Sequence, residues 1–170
     1  MDISEPTQPS PLHGELFQFG LVTPTWLIIP LALLATELFP ILFAYIVYPF
    51  LPDEPTGGPN LRQHGFVLAF IFACVIAPLV ETLTSQWGCL TLLQKKLNVR
   101  PWRAIMISAA LFASLHCYSW KYVLGTFPIG VIFGYVFVVV QARQGRAFLT
   151  VTAVHSLRNA ISLAVVFDFL

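Results

Sequence analysis

The chain has 170 residues, of which 57% are hydrophobic and 10% charged, with a formal net charge of +1. A water-soluble domain carries about a quarter charged residues, so the outward surface must face lipid, and no basic stripe points to a nucleic-acid partner. The three cysteines, Cys74, Cys89 and Cys117, lie inside or at the ends of apolar runs, which argues against a disulfide framework and for packing roles.

Residues 1–25 hold Asp2, Glu5 and Glu15, several prolines and no Lys or Arg. A secretory signal opens on positive charge, so this stretch is expected to be a flexible, weakly acidic tail. Apolar stretches follow at Trp26–Phe50, Gly65–Leu93, Ala104–Trp120, Tyr122–Gln141 and Phe148–Phe169. Each approaches the ~20 residues that cross a ~30 Å hydrocarbon core. The third is the shortest and joins the fourth through a tight connection at Lys121. The segment Leu51–His64, rich in Pro and Gly, is a solvated loop. The expectation is a single all-α membrane domain over residues 26–170, a bundle of about five spans, bathed in membrane lipid.

Lys95, Lys96, Arg100 and Arg103 follow the second stretch, and Arg143 and Arg146 follow the fourth. The positive-inside rule places these loops and the N-terminus in the cytoplasm. A chain this compact suits a bacterial inner membrane. Gly130 and Gly134, four apart, let a neighbouring helix approach closely. Pro30, Pro40, Pro78 and Pro128 bend or open their helices where neighbours satisfy the freed carbonyls.

Ionisable groups inside a span are costly and mark function. At 1.5 Å per residue, Glu81 lies roughly 20 Å above the basic loop at Gln94, and His116 roughly 20 Å above Arg103. His155 and Asn159 lie roughly 12 and 18 Å above Ala147 and share a helix face. Any one of them alone is explained by an interhelical hydrogen bond. Together at one depth, a carboxylate, two imidazoles and an amide are the parts for activating water and holding an oxyanion.

Three short segments carry a resemblance: Ala77 to Glu81, Phe112 to His116, and His155 to Asn159. In order, spacing and placement they resemble the motifs of the CPBP family, the CAAX prenyl endopeptidases and bacteriocin-processing enzymes also called Abi proteins, over about residues 65–165. The resemblance implies an intramembrane endopeptidase acting on a membrane-embedded or membrane-associated protein or peptide. It implies a site of Glu81, His116, His155 and Asn159. Glu81, helped by His116, takes a proton from water, and His155 with Asn159 steadies the oxyanion. Two His and one Glu are also a donor set for a divalent metal such as zinc, but the HExxH signature is absent, and the metal-free glutamate mechanism is favoured.

The family's first motif reads EExxxR, whereas here Thr82 and Gln86 replace the second Glu and the Arg together. Loss of both members of an i,i+4 pair is a substituted scaffold contact, since Glu81 remains. It also keeps open an alternative, an inactive relative that binds a hydrophobic peptide or acts as an immunity protein. A small proton-coupled transporter is the third reading, but no inverted repeat supports it. Arg158 needs a carboxylate at its depth. Pairing with Glu37 on the first span is expected, leaving Glu81 beside the histidines.

Overall fold

A computed structural model describes residues 14–53 and 55–169; residues 1–13 of the expected tail lie outside the described residues. All regular structure among the described residues is helical, as the composition demands. We number six helices: α1 Glu15–Val22, α2 Thr25–Val47, α3 Phe66–Lys96, α4 Pro101–Ser114, α5 Trp120–Ala142 and α6 Ala147–Val166. Four of them, α2 (extended by a tight turn to Phe50), α3, α5 and α6, are long and apolar enough to cross a membrane. The protein is a polytopic helical bundle.

The central helix is α5. More than half of its most apolar stretch is buried within the protein, against less than a third in the other three long helices. Phe133, Phe137, Val139 and Val140 form its buried core with Ile105 of α4 and Val151 and Val154 of α6. Elsewhere large apolar side chains face outward, such as Leu34, Leu38 and Ile41 on α2, as a lipid-facing surface requires. Trp26 and Trp102 are exposed near the starts of α2 and α4, while Tyr45 and Trp120 are exposed at the opposite ends. Amphipathic rings at both ends are the aromatic belts of a membrane protein.

The expected third span, Ala104–Trp120, is helical only over Pro101–Ser114, 14 residues. That is about 21 Å at 1.5 Å per residue, too short to cross on its own. The chain turns at Leu115–Ser119, so Lys121, expected in the connection, lies inside α5. It is buried, with its ammonium over the Tyr48 ring and its carbonyl accepting from the Tyr48 hydroxyl. Cys74 is buried and Cys89 half-buried, but Cys117, expected to pack, is exposed in that turn; all three are free thiols.

Within residues 1–25, Glu15–Val22 forms α1, whose Phe17 is 1% exposed against Trp102 and Tyr135. The Tyr135 hydroxyl donates to Leu16 O, and Arg143 donates to Thr23 O just past the end of α1. A cation there satisfies carbonyls the helix leaves open. At the other end of the bundle Arg62 pairs with Asp168 and donates to Val166 O at the C-terminus of α6.

The glycines Gly130 and Gly134 do what their spacing implies. A Cβ at Gly130 would stand 2.9 Å from the Ala109 backbone, and one at Gly134 would stand 3.1 Å from Ile105. These contacts bring α4 against α5. Gly130→Val should therefore destabilise the bundle, since overpacking costs about 1–3 kcal/mol. A reversible unfolding measurement in bicelles would show it, and a loss smaller than that of a lipid-facing Leu34→Val control would contradict the close approach.

Candidate active site

The site is built around an irregularity in α3. That helix alternates α-helical segments with wider π-helical stretches at Ile71–Ile76, Thr82–Gly88 and Leu92–Lys96. Pro78 explains the first. Proline has no N–H and its ring clashes with the preceding turn of a regular helix, and a π stretch relaxes that turn. The change leaves a debt. The Ala77 N–H donates to Phe72 O, and Pro78 has no proton to give, so neither residue serves the Ala73 carbonyl. The Asn159 side chain of α6 serves it instead, Nδ2 donating to Ala73 O at 2.8 Å.

This bond sets α6 against α3 about two helical turns before Glu81. Glu81 ends the α-helical segment Ala77–Glu81, midway along α3, just before the second π stretch. Its Oε2 lies 3.6 Å from His116 Nε2 and 3.6 Å from His155 Nε2. The Glu81 side chain is 22% exposed, that of His116 16% and that of His155 4%. Both separations exceed a direct hydrogen bond.

The histidines are held by different means. His116 sits in the turn after α4, where its Nδ1 lies 2.8 Å from Phe112 O. A carbonyl only accepts, so Nδ1 carries the proton and Nε2 faces Glu81. His155 is on α6 and is fixed by packing: its ring meets Phe133 at 4.8 Å and Phe112 at 5.6 Å between centroids. Phe112 also meets His116 at 4.7 Å, so a single buried aromatic ring abuts both imidazoles. Tyr122 stacks on the other side of His116 at 5.9 Å. Ser119 caps α5, accepting from the Tyr122 N–H, and its hydroxyl donates to Thr56 O of the loop before α3. Gly57 and Gly58 of that loop lie against Tyr118 and Tyr122.

Of the four residues the sequence singled out, Glu81, His116 and His155 converge on one carboxylate oxygen. Asn159 is engaged with the Ala73 carbonyl and keeps one amide N–H beyond that bond. Phe112, Phe133 and Tyr122 were not singled out. Phe112 had a signal, since it stands four residues before His116, whereas Phe133 and Tyr122 are brought in only by the packing of α5.

Thr82 and Gln86, at the positions of the replaced pair, are fully buried, and neither Thr82 Oγ1 nor the Gln86 amide has a hydrogen-bond partner. No contact between them stands in for the family's ion pair. The expected Arg158–Glu37 pair is also not formed: among the described residues no carboxylate lies within 4 Å of Arg158. The reason is direction. The Arg158 guanidinium reaches along α6 to Asn159 Oδ1, at 3.5 Å, and lies within electrostatic range of His116, His155 and Tyr122.

Among the described residues no group of three His, Cys, Asp or Glu side chains is disposed to hold a metal ion. The donor set that the sequence offered for zinc does not fit one as placed.

A membrane bundle that gathers a half-buried carboxylate and two imidazoles is the architecture of an intramembrane hydrolase. The family described as Type II CAAX prenyl endopeptidase Rce1-like matches residues 63–161, and the chain belongs to it. The matched span holds all four expected site residues and leaves out α1 and α2. No curated protein and no solved structure matches the chain.

The link between Pro78 and Asn159 is open to a double-mutant cycle. Asn159→Ala strands the Ala73 carbonyl and should cost about 1–3 kcal/mol. Pro78→Ala restores an N–H able to serve that carbonyl, so Asn159→Ala should cost much less in the Pro78→Ala background. Unfolding free energies that simply add would refute the coupling.

Proposed function

We propose that the chain hydrolyses a peptide bond of a membrane-embedded or membrane-associated protein, using water activated by Glu81. The observation that carries this reading is the single carboxylate oxygen set 3.6 Å from two imidazole nitrogens on separate elements. Glu81 takes a proton from water as the oxygen attacks the scissile carbonyl carbon. His116, its Nδ1 proton anchored on Phe112 O, presents Nε2 to the same water and helps to hold it. His155, with its proton on Nε2, donates to the tetrahedral oxyanion, and the remaining Asn159 N–H assists. As the C–N bond breaks, the departing amine takes the proton from Glu81, leaving a new carboxylic acid and a free amine, and the acid then gives its proton to the amine or to solvent. Arg158 stays out of direct contact with Glu81, which favours hydrolysis over the binding-only alternative: an ion pair there would occupy the base.

The membrane orientation follows from charge. Lys95–Arg103 and the α5–α6 connection around Arg143 and Arg146 face the cytoplasm with the N-terminus, and residues 51–64 lie opposite. In a variant lacking Cys74, Cys89 and Cys117, a cysteine at position 60 should label from outside intact cells and one at position 98 should not. Strong external labelling at 98 would reverse the orientation.

The chemistry is tested with a quenched, prenylated CAAX-type peptide and the purified chain in proteoliposomes. Glu81→Gln and His116→Ala should reduce turnover at least 10²-fold, in the range of lost acid–base catalysis. His155→Ala should cost about 10²–10³-fold, as for an oxyanion donor. Thermal unfolding of each variant checks that the fold survives. Full activity in Glu81→Gln would end the mechanism, and peptide binding without cleavage by the unaltered chain would favour the binding-only relative.

A further inference from the structure

One charge near the site takes no part in the chemistry above. Arg158 follows His155 by less than one turn of α6 and precedes Asn159 directly. Its Nε is buried without a hydrogen-bond partner, and its only polar contact among the described residues is the 3.5 Å approach of Nη1 to Asn159 Oδ1. An arginine carries its charge at any working pH and offers five donors in a planar fork that fits a carboxylate. Placing that group in a bundle interior without an anion is costly even on lenient insertion scales. Glu81 does not supply the anion at contact distance, and neither does Glu37, whose own Oε1 is buried without a partner.

We propose that Arg158 is the substrate-anchoring residue of this site: its guanidinium receives a carboxylate of the bound peptide and holds the scissile carbonyl against Glu81. This rests on the hydrolase reading for the place of the scissile bond, but the binding itself does not depend on turnover. Arg158 shares a helical turn with His155 and Asn159, so the carboxylate it holds lies within a few residues of the attacked bond, each spanning at most about 3.6 Å when extended. The chain terminus is one source of a carboxylate that near. An acidic side chain offers the same chemistry from a second source.

The test uses one fluorescently labelled CAAX-type peptide in three forms: free acid, C-terminal amide, and amide with aspartate at the last position. Binding is measured to the full chain carrying Glu81→Gln, in detergent, so that no form is consumed. The acid should bind about 10- to 100-fold more tightly than the amide, the range of a hydrogen bond to a charged group. Arg158→Gln should bring the acid down to the affinity of the amide, and Arg158→Lys should keep part of the difference. Recovery of affinity by the aspartyl amide identifies a side-chain carboxylate as the source; no recovery identifies the terminus. Equal binding of acid and amide while Arg158 is intact overturns the proposal, and that comparison needs no variant of Arg158. So does an acid preference that survives Arg158→Gln. Cleavage of the same peptides by the chain with Glu81 restored is scored separately. Acid-selective binding without cleavage would sink the hydrolase reading and leave the anchor standing, whereas cleavage of acid and amide with equal KM would do the reverse.

Discussion

Hydrocarbon offers no hydrogen bonds, so a backbone carbonyl released inside a membrane protein must be met by another part of the protein. The Ala73 carbonyl is such a group, released because Pro78 cannot donate, and Asn159 meets it. The placing of α6 on α3 at this depth depends on that bond. His155 stands one turn before Asn159 on α6, and Glu81 lies just beyond Pro78 on α3, so the same tie brings the imidazole to the carboxylate. Removing irregularity from α3 would also remove the structural need for an amide at position 159.

The second imbalance is electrostatic. Glu81, His116, His155 and Arg158 gather where charge is costly, yet the ion pairs that would neutralise them are stretched or absent. Aromatic rings do the positioning instead. Phe112 and Phe133 fix His155 without giving it a hydrogen bond, and Tyr122 stacks on His116. Rings set His155 without drawing on its nitrogens, and His116 spends only Nδ1 on the Phe112 carbonyl, which leaves both Nε2 atoms directed at Glu81. The π-helical stretches flanking the Ala77–Glu81 segment are of the kind often found at functional sites.

Much of this was legible in the sequence because the physics is one-dimensional there. Apolar runs of span length gave the long helices, and polar residues within them stood out at a common depth. The ordered motifs located Glu81, His116 and His155. What the sequence hid depends on geometry between helices. Helix arithmetic made the stretch around His116 a span, but α4 stops at Ser114 and the histidine lies in the turn beyond it. Arg158 and Glu37 share a depth, yet depth says nothing about azimuth, and the guanidinium turns toward Asn159 instead. The burial of Phe17 in α1 was masked by a polar, proline-bearing neighbourhood without a span-length apolar run. Asn159 was singled out for its chemistry, while its bond to Ala73 emerges only once the π stretch before Pro78 is seen.

The π stretches have a further consequence for how α3 can change its length. One inserted or deleted residue in a helix rotates everything beyond it by about 100°. Glu81 lies between two widened stretches, so its azimuth reflects the local winding on either side rather than one uniform helical wheel. A single-residue deletion at Leu79 or Val80, in the α-helical segment between the Ala73 tie and Glu81, acts as a phase shift: it swings the carboxylate away from both histidines while leaving α3 apolar and long enough to cross the membrane. Point substitution along most of α3 is therefore a milder change than any change in its length. Insertions and deletions are better borne in residues 51–64, where added chain turns no side chain about the axis of α3.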